Sequence, residues 1–284
     1  MMKKSFLSPC LVIASASTLL LTSCLGDGTN KMTREGFFTV RTTGSNYVLY
    51  QDYGGVVYPG AEFNSTLSSS KVSDFDRFYI AYQYTDDNIK NETGKGSYIT
   101  NAELVTGSLL KRYSIFSEKE AESLNITASD SIFSAPSITS ENIGIYRGFV
   151  TIQYSGKYSV VKFCEKCRTS FADSETATKC PTCGQSIAAI GLIPTINLVY
   201  KSSAETGPDN IVFDLYYNQH SNKETQKQSL TDSFIATYPI TNLIGFYGGG
   251  QGSVNVTFNV DGKPVAQRKI SRDDLSASNY LYFQ

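Results

Sequence analysis

Four cysteines near the middle of the chain are the residues whose types and spacing point most clearly to chemistry. Cys164, Cys167, Cys180 and Cys183 form two Cys-x-x-Cys pairs with twelve residues between them. A tight turn in each pair can direct both thiolates at one cation, and two such pairs supply the tetrahedral sulfur ligands of a structural zinc site. Four protein ligands leave no position for a substrate water. We therefore predict a closed, structural zinc site.

Two other states of these cysteines stay open. Iron fits the same cage, because ligand softness and tetrahedral geometry do not separate it from zinc. Two disulfides or free thiols are the other alternative, and the oxidising compartment that the N-terminus indicates makes disulfides a serious one. A redox-catalytic dithiol is disfavoured, since no thioredoxin-like βαβ pattern surrounds the pairs.

The segment that carries the cysteines, residues 163–187, is predicted to be an insertion at a hairpin tip that resembles a zinc ribbon. It has few large apolar side chains, so it cannot build a core without a cross-link. In the second pair, Pro181 fixes the turn and Gly184 leaves room for backbone amides to approach sulfur. We expect the metal to fold the insertion.

The N-terminus has the pattern of an export signal. Lys3 and Lys4 precede an apolar stretch, residues 6–21, which is too short and too rich in Ser and Thr for a membrane span. It ends in "LTSC", which resembles the lipobox of bacterial lipoproteins. That resemblance implies a signal peptide at 1–23, lipidation of Cys24, and a tether at 24–33. An ordinary secretory signal is the alternative.

Composition bounds the function classes. The net charge of the 284-residue chain is −1, and loss of Lys3 and Lys4, the only charges before Cys24, would make it −3. No basic face for nucleic acid follows from such a balance. The 19 Tyr and 16 Phe, with many Val, Ile and Thr, favour strands. We expect an all-β exported protein of two domains.

The first domain, residues 34–116, is predicted to be a small OB-like barrel. Alternating or aromatic runs bounded by turn residues indicate five short strands there. These strands are predicted at residues 36–43, 47–52, 77–85, 97–107 and 109–116.

A second domain, residues 141–284, is predicted to be a β-sandwich. It follows a single predicted helix at 116–124 and an interdomain linker at 117–140. Its first hairpin is placed at a Ser155-Gly156 turn, and its last at Asp261-Gly262, a pair that tolerates positive φ. Its strands are predicted at 146–155, 157–163, 194–201, 210–219, 232–240, 252–260 and 263–270.

This order of features resembles the NigD-like lipoproteins of Bacteroidota. The matching stretches are the lipobox, "GFFTVRTTGSNYVLYQDYGG", "GFVTIQYSGKYS", "INLVY", "NIVFDLYYNQH", "FIATYPI" and "GSVNVTFNVDGK". The resemblance implies an N-terminal OB domain, a C-terminal β-sandwich and a cell-envelope lipoprotein, and it supplies no catalytic residues. The chain departs from the family at 163–187, where a short loop would join two strands.

The sequence contains few candidate catalytic residues or motifs. His220 is the single histidine, it lies in the polar run "NQHSN", and no Gly-x-Ser-x-Gly elbow accompanies it. The glycines at 248–250 are followed by no Lys-Ser/Thr, so a loop is expected there in place of a phosphate site. Neighbouring side chains on an extended chain point to opposite sides. The adjacent aspartates at 86–87 and 273–274 therefore do not look like the carboxylate pair of a glycosidase. We expect both pairs to be solvated charges.

One aromatic segment suggests a ligand. Tyr47, Tyr50, Tyr53 and Tyr58 could form the glycan-binding face that OB barrels sometimes present, although ordinary packing is the expected role of alternating Tyr. We predict a non-enzymatic lipoprotein, anchored in the outer membrane, with a binding or assembly role and an envelope protein or glycan as partner. An envelope hydrolase, or a glycan-binding lipoprotein, acting on polysaccharide is the alternative.

Overall fold

The N-terminal strands close into a barrel. The computed structural model describes residues 30–52, 54–93, 96–129, 138–171, 178–207, 209–218, 229–240 and 252–272. Five strands pair in the ring order β3-β2-β1-β4-β6, and a parallel pairing of β3 with β6 closes the ring. The elements are β1 Met32–Thr43, β2 Asn46–Gln51, β3 Val56–Pro59, α1 Ala61–Ser69, β4 Arg77–Tyr84, β5 Ile89–Glu92 and β6 Gly96–Leu109.

This arrangement confirms the predicted OB-like barrel. A five-stranded Greek-key barrel is the OB architecture, and here α1 lies between β3 and β4 and buries Phe63 and Leu67. The short β5 pairs with the first residues of β6, residues 96–99. The apolar core comes from alternate residues of the strands: Phe38, Val40, Leu49, Val57, Phe78, Ile80, Tyr82, Tyr84, Ile99 and Ala102.

The fifth strand predicted for the barrel, at 109–116, is wrong. The chain leaves β6 at Leu109, and residues 110–114 form only an isolated bridge, from Arg112 to Thr237. Next, β7 (Ile115–Ser117) pairs in parallel with a strand of the second domain. The predicted helix follows as α2 (Glu118–Ser123), capped reciprocally by Ser117 and Glu120.

Two facing sheets form the second domain, which confirms the predicted sandwich. One sheet is centred on β9, with β8 and β14 on opposite edges; the other has the order β16-β15-β13-β12-β7. The elements are β8 Ile143–Tyr146, β9 Phe149–Cys164, β10 Thr169–Phe171, β11 Ala188–Leu192, β12 Thr195–Tyr200, α3 Ser203–Thr206, β13 Asn210–Asn218, β14 Ser229–Pro239, β15 Ser253–Val260 and β16 Lys263–Ser271.

The sandwich core lies between the sheets. Each sheet contributes the inward-facing residues of its strands, as expected for sheets packed face to face. The first sheet buries Ile145, Val150, Ile152, Ala236 and Tyr238, and the second buries Ile196, Leu198, Phe213, Leu215, Val256 and Phe258.

One predicted turn is wrong and another is confirmed. Ser155 and Gly156 lie within the continuous strand β9, because they stand opposite Ser233 and Asp232 in the ladder with β14. In contrast, Asp261 and Gly262 have φ of 50° and 74° and join β15 to β16. The strand β9 therefore runs unbroken from the sandwich core to the cysteine insertion.

Candidate metal centre

The four cysteines meet at the tip of a hairpin formed by β9 and β11. Cys164 is the last residue of β9, and Cys167 lies in the turn that leads to β10. Cys180 and Cys183 lie in a second turn, next to an isolated bridge between Lys179 and Ser186. In this ladder Phe163 stands opposite Ala188. The insertion therefore begins and ends at neighbouring positions of one strand pair.

Backbone hydrogen bonds shape the second turn. The Gly184 N–H donates to the Cys180 carbonyl at 2.8 Å, and the Cys180 N–H donates to the Gln185 carbonyl at 2.7 Å. Gly184 has a φ of +69°, and nothing lies within 4 Å of the position that a Cβ would take. Glycine is therefore favoured at position 184 by its backbone conformation. A Cβ there would meet no steric obstacle.

Arg168 allows the first turn to close. Its φ is +51°, in the left-handed region, directly after Cys167. The Thr169 hydroxyl then donates to the Cys167 carbonyl at 3.0 Å as the chain enters β10. Both pairs are therefore held in turns that bring their thiols to one side.

The sulfur positions fit a single tetrahedral ion. All four Sγ atoms lie within 4.8 Å of one another. Cys164 and Cys183 are 3.5 Å apart at sulfur, and Cys167 and Cys180 are 3.9 Å apart. Zinc–sulfur bonds of about 2.3 Å imply a tetrahedron with edges of about 3.8 Å. The cysteines that the sequence predicted as ligands are thus brought together and could hold a metal ion.

The cluster is unlike a disulfide pair. All four cysteines are free, and the two sulfur separations of 3.5 and 3.9 Å far exceed a disulfide bond of about 2.05 Å. Cys164 and Cys180 are buried, whereas Cys167 and Cys183 are partly exposed. In the described part of the chain, the group that could hold a metal consists of these four thiols alone. Its donors therefore match a closed sulfur site.

The surroundings shift the pKa values of two of the thiols in opposite directions. Burial would raise the pKa of Cys180, but hydrogen bonds from the backbone of Cys183 and Thr182 and from neighbouring thiols outweigh it, and the pKa falls to about 6. The side-chain hydrogen bond with Cys183 is the main cause that raises the pKa of Cys167 to about 12. The lowered pKa favours the thiolate form of Cys180, which is the form that binds metal.

Several other residues singled out in the sequence lie outside the described residues. These are Cys24, Tyr53, His220, the glycines at 248–250, and the aspartates at 273–274. Asp86 and Asp87 are exposed in a short 3₁₀ helix, as predicted. Tyr50 is only 2% exposed and packs with Val48 and Val56. The packing interpretation is therefore confirmed for Tyr50.

The sequence analysis missed a second polar site, at the open end of the barrel. A cavity of about 150 Å³ there is lined by residues that include Arg34, Gln51 and Tyr82. The sequence signal for this site lies in β1. Arg34 is on the same face of the strand as Gly36, Phe38 and Val40, which point toward the barrel interior.

Solved structures of similar fold come from Bacteroidales. A candidate toxin-related protein from Parabacteroides distasonis matches 89% of this chain and 100% of its own, at 15% identity and a TM-score of 0.50. A candidate lipoprotein from Bacteroides fragilis matches 84% and 97%, at 11% identity and a TM-score of 0.44. A NigD-like immunity protein from Bacteroides caccae matches 83% of this chain and 91% of its own, at 13% identity and a TM-score of 0.42.

The first of these likenesses supports the shared two-domain fold. The solved structures that this chain resembles also include a NigD-like protein, and the NigD-like lipoproteins are the family that the sequence resembles. No protein-family model matches the chain, and no curated protein matches it by sequence. None of the helices in the described residues has the length and apolar character needed to cross a membrane.

Proposed function

We propose that the protein is a cell-envelope lipoprotein of the NigD-like kind, with a binding or assembly role and one structural zinc ion. The observation that carries the proposal is the closed four-thiol cluster at the tip of the β9–β11 hairpin. Four protein ligands complete the coordination of zinc, so the ion cross-links the insertion and activates no water.

The lipobox at residues 21–24 supports an anchor at Cys24. Two or three acyl chains make membrane attachment stable, whereas one chain binds only marginally. Leu25 follows Cys24, where an aspartate would favour retention in the inner membrane, so the outer membrane is the proposed location. The partner is an envelope protein or a glycan.

Fractionation of cells tests the anchor. Cys24→Ala should move the protein from the membrane fraction to the soluble fraction. Cys10→Ala, which alters a cysteine inside the proposed signal peptide, is the matched control and should leave the protein in the membrane. Membrane retention of Cys24→Ala would contradict lipidation.

Assays with polysaccharides test the absence of catalysis. The purified protein should release no reducing ends from envelope or plant polysaccharides, whether or not it binds them on a glycan array. Turnover that survives repeated purification would favour an envelope hydrolase and overturn the proposed role.

A further inference from the structure

The open end of the barrel contains a small cavity. It has a volume of about 150 Å³ and lies where β2 and β4 end and where β3 and β6 begin. α1 follows the other end of β3. The cavity is therefore separated along the barrel from the helix that fills the opposite end with Phe63 and Leu67.

The interior of the barrel changes from apolar to polar at this end. Residues paired across antiparallel strands share a face of the sheet. Phe38 pairs with Gln51, and Arg34 pairs with Tyr82. Since Phe38 and Tyr82 belong to the barrel core, the strand positions of Gln51 and Arg34 also face the interior.

Gly36 makes room for one of these polar side chains. A Cβ at Gly36 would lie 2.8 Å from Nε2 of Gln51. That Nε2 donates to the carbonyl of Glu35 at 3.3 Å. The absence of a side chain at position 36 thus allows the Gln51 amide to lie across the barrel end.

Tyr82 carries an unsatisfied hydroxyl in the wall of the cavity. Its side chain has no exposed surface, and the hydroxyl has no hydrogen-bond partner within the described residues. A buried polar group without a partner costs free energy. Such a group calls for an explanation, and a bound ligand is one. Burial raises the pKa of Tyr82 to about 12, so the hydroxyl keeps its proton and can donate it.

Arg34 places a cation at the mouth of the same cavity. Its guanidinium carbon lies 5.4 Å from the centroid of the Tyr84 ring. Among the described residues, no carboxylate forms an ion pair with it, in contrast to Lys31, which binds Glu103 at 2.6 Å. The cation is therefore available to an anion from outside.

Aliphatic side chains from β3, β5 and β6 line part of the cavity. Val57, Ile89 and Ile99 contribute this aliphatic surface. A cavity of about this volume holds benzene in an engineered protein. An occupant therefore needs one anionic end and a compact apolar body.

We propose that this end of the barrel binds a small organic acid, with its carboxylate between Arg34 and the Tyr82 hydroxyl and its body against Val57 and Ile99. The guanidinium and the phenol supply charge-assisted hydrogen bonds, which are the strongest kind available to a carboxylate. The site deepens the binding role proposed above, and it requires neither the lipid anchor nor the metal.

Calorimetry with benzoate tests the site on the full chain. Benzoate should bind with one molecule per chain, and the neutral isostere benzamide should bind at least about tenfold more weakly. Arg34→Gln and Tyr82→Phe should each weaken benzoate binding by about tenfold or more. Thermal melts should show that both variants remain folded, because Arg34 is exposed and Tyr82→Phe keeps the ring.

Two matched variants control for charge and for phenol loss. Lys31→Gln removes the same charge three residues from Arg34, and Tyr47→Phe removes a hydroxyl elsewhere on the barrel; both should bind benzoate as the parent does. The proposal is overturned by absent benzoate binding, by equal binding of benzamide or of inorganic phosphate, or by unchanged affinity in both cavity variants. Because the test reads neither anchoring nor metal content, its failure leaves those parts of the proposed function standing.

Discussion

Arg77 and Asp52 form a buried bidentate ion pair at the junction of the two domains. Nη1 of Arg77 lies 2.7 Å from Oδ1 of Asp52, and the arginine side chain has no exposed surface. The same guanidinium donates to the hydroxyls of Thr39 and Thr151 and lies 5.0 Å from the ring centroid of Phe149. One side chain on β4 thus joins the barrel to strand β9 of the sandwich.

Removing the charge of Asp52 should be costly. Asp52→Asn leaves the buried guanidinium uncompensated, which lowers the free energy of unfolding by about 3 kcal/mol or more. Glu103→Gln breaks the exposed pair with Lys31 and should cost at most about 1 kcal/mol. Urea unfolding of both variants measures the difference. Equal losses would contradict the special role of the buried pair.

Tyr82→Phe should stabilise the protein. The change removes a buried hydroxyl that has no partner in the described structure, so the free energy of unfolding should rise by about 1 kcal/mol. Tyr238→Phe is the matched control, because the buried Tyr238 hydroxyl donates to the Ile196 carbonyl. That variant should instead lose about 1 kcal/mol. Thermal unfolding compares them, and destabilisation by Tyr82→Phe would show that its hydroxyl is already paired.

Local patterns predicted those parts of the fold that local chemistry determines. The alternation in residues 77–85 predicted β4, and Asp261-Gly262 predicted a hairpin, because both signals reside in neighbouring residues. The cysteine spacing predicted the cluster for the same reason. Ser155-Gly156 failed as a turn because the β14 strand, far along the chain, extends the ladder across it.

The missed elements depend on distant partners or on weak local signals. α1 has a polar sequence with only Phe63 and Leu67, four residues apart, to mark its buried face. Strand β7 has three residues, and its parallel partner β12 lies more than 70 residues away. The cavity depends on register, since only the pairing of Arg34 with Tyr82 shows that a charged position faces the barrel interior.

Deleting the insertion should spare both domains. Phe163 and Ala188 stand opposite each other in the β9–β11 ladder, so a short Gly-Ser turn can join them in place of the intervening residues. Loop-closure free energy changes by only about 0.6 kcal/mol per doubling of loop length. The thermal midpoint of the deletion variant should therefore stay within a few degrees of the parent. Loss of cooperative unfolding would place the cysteines in the sandwich core.

The metal-free protein should have one unusually acidic thiol if the hydrogen bonds of the second turn form without the metal. A lowered pKa favours the charged form, so the ultraviolet absorbance of one thiolate should appear with a midpoint near pH 6. Cys180→Ser should abolish this step. Cys167→Ser should keep it, because the pKa of Cys167 is raised, to about 12. A first thiolate that appears only above pH 8 in the parent would show that the second turn forms only with the metal.

The metal content of the protein purified without reductant tests the central claim most directly. Native mass spectrometry should find one zinc ion per chain, and a chelator should free four reactive thiols. Binding should strengthen as pH rises, because the ligands must lose protons, and Cys183→Ser should weaken it by leaving three sulfur ligands. One iron ion would keep the geometry but replace the structural role with electron transfer. No metal together with two disulfides would contradict the account.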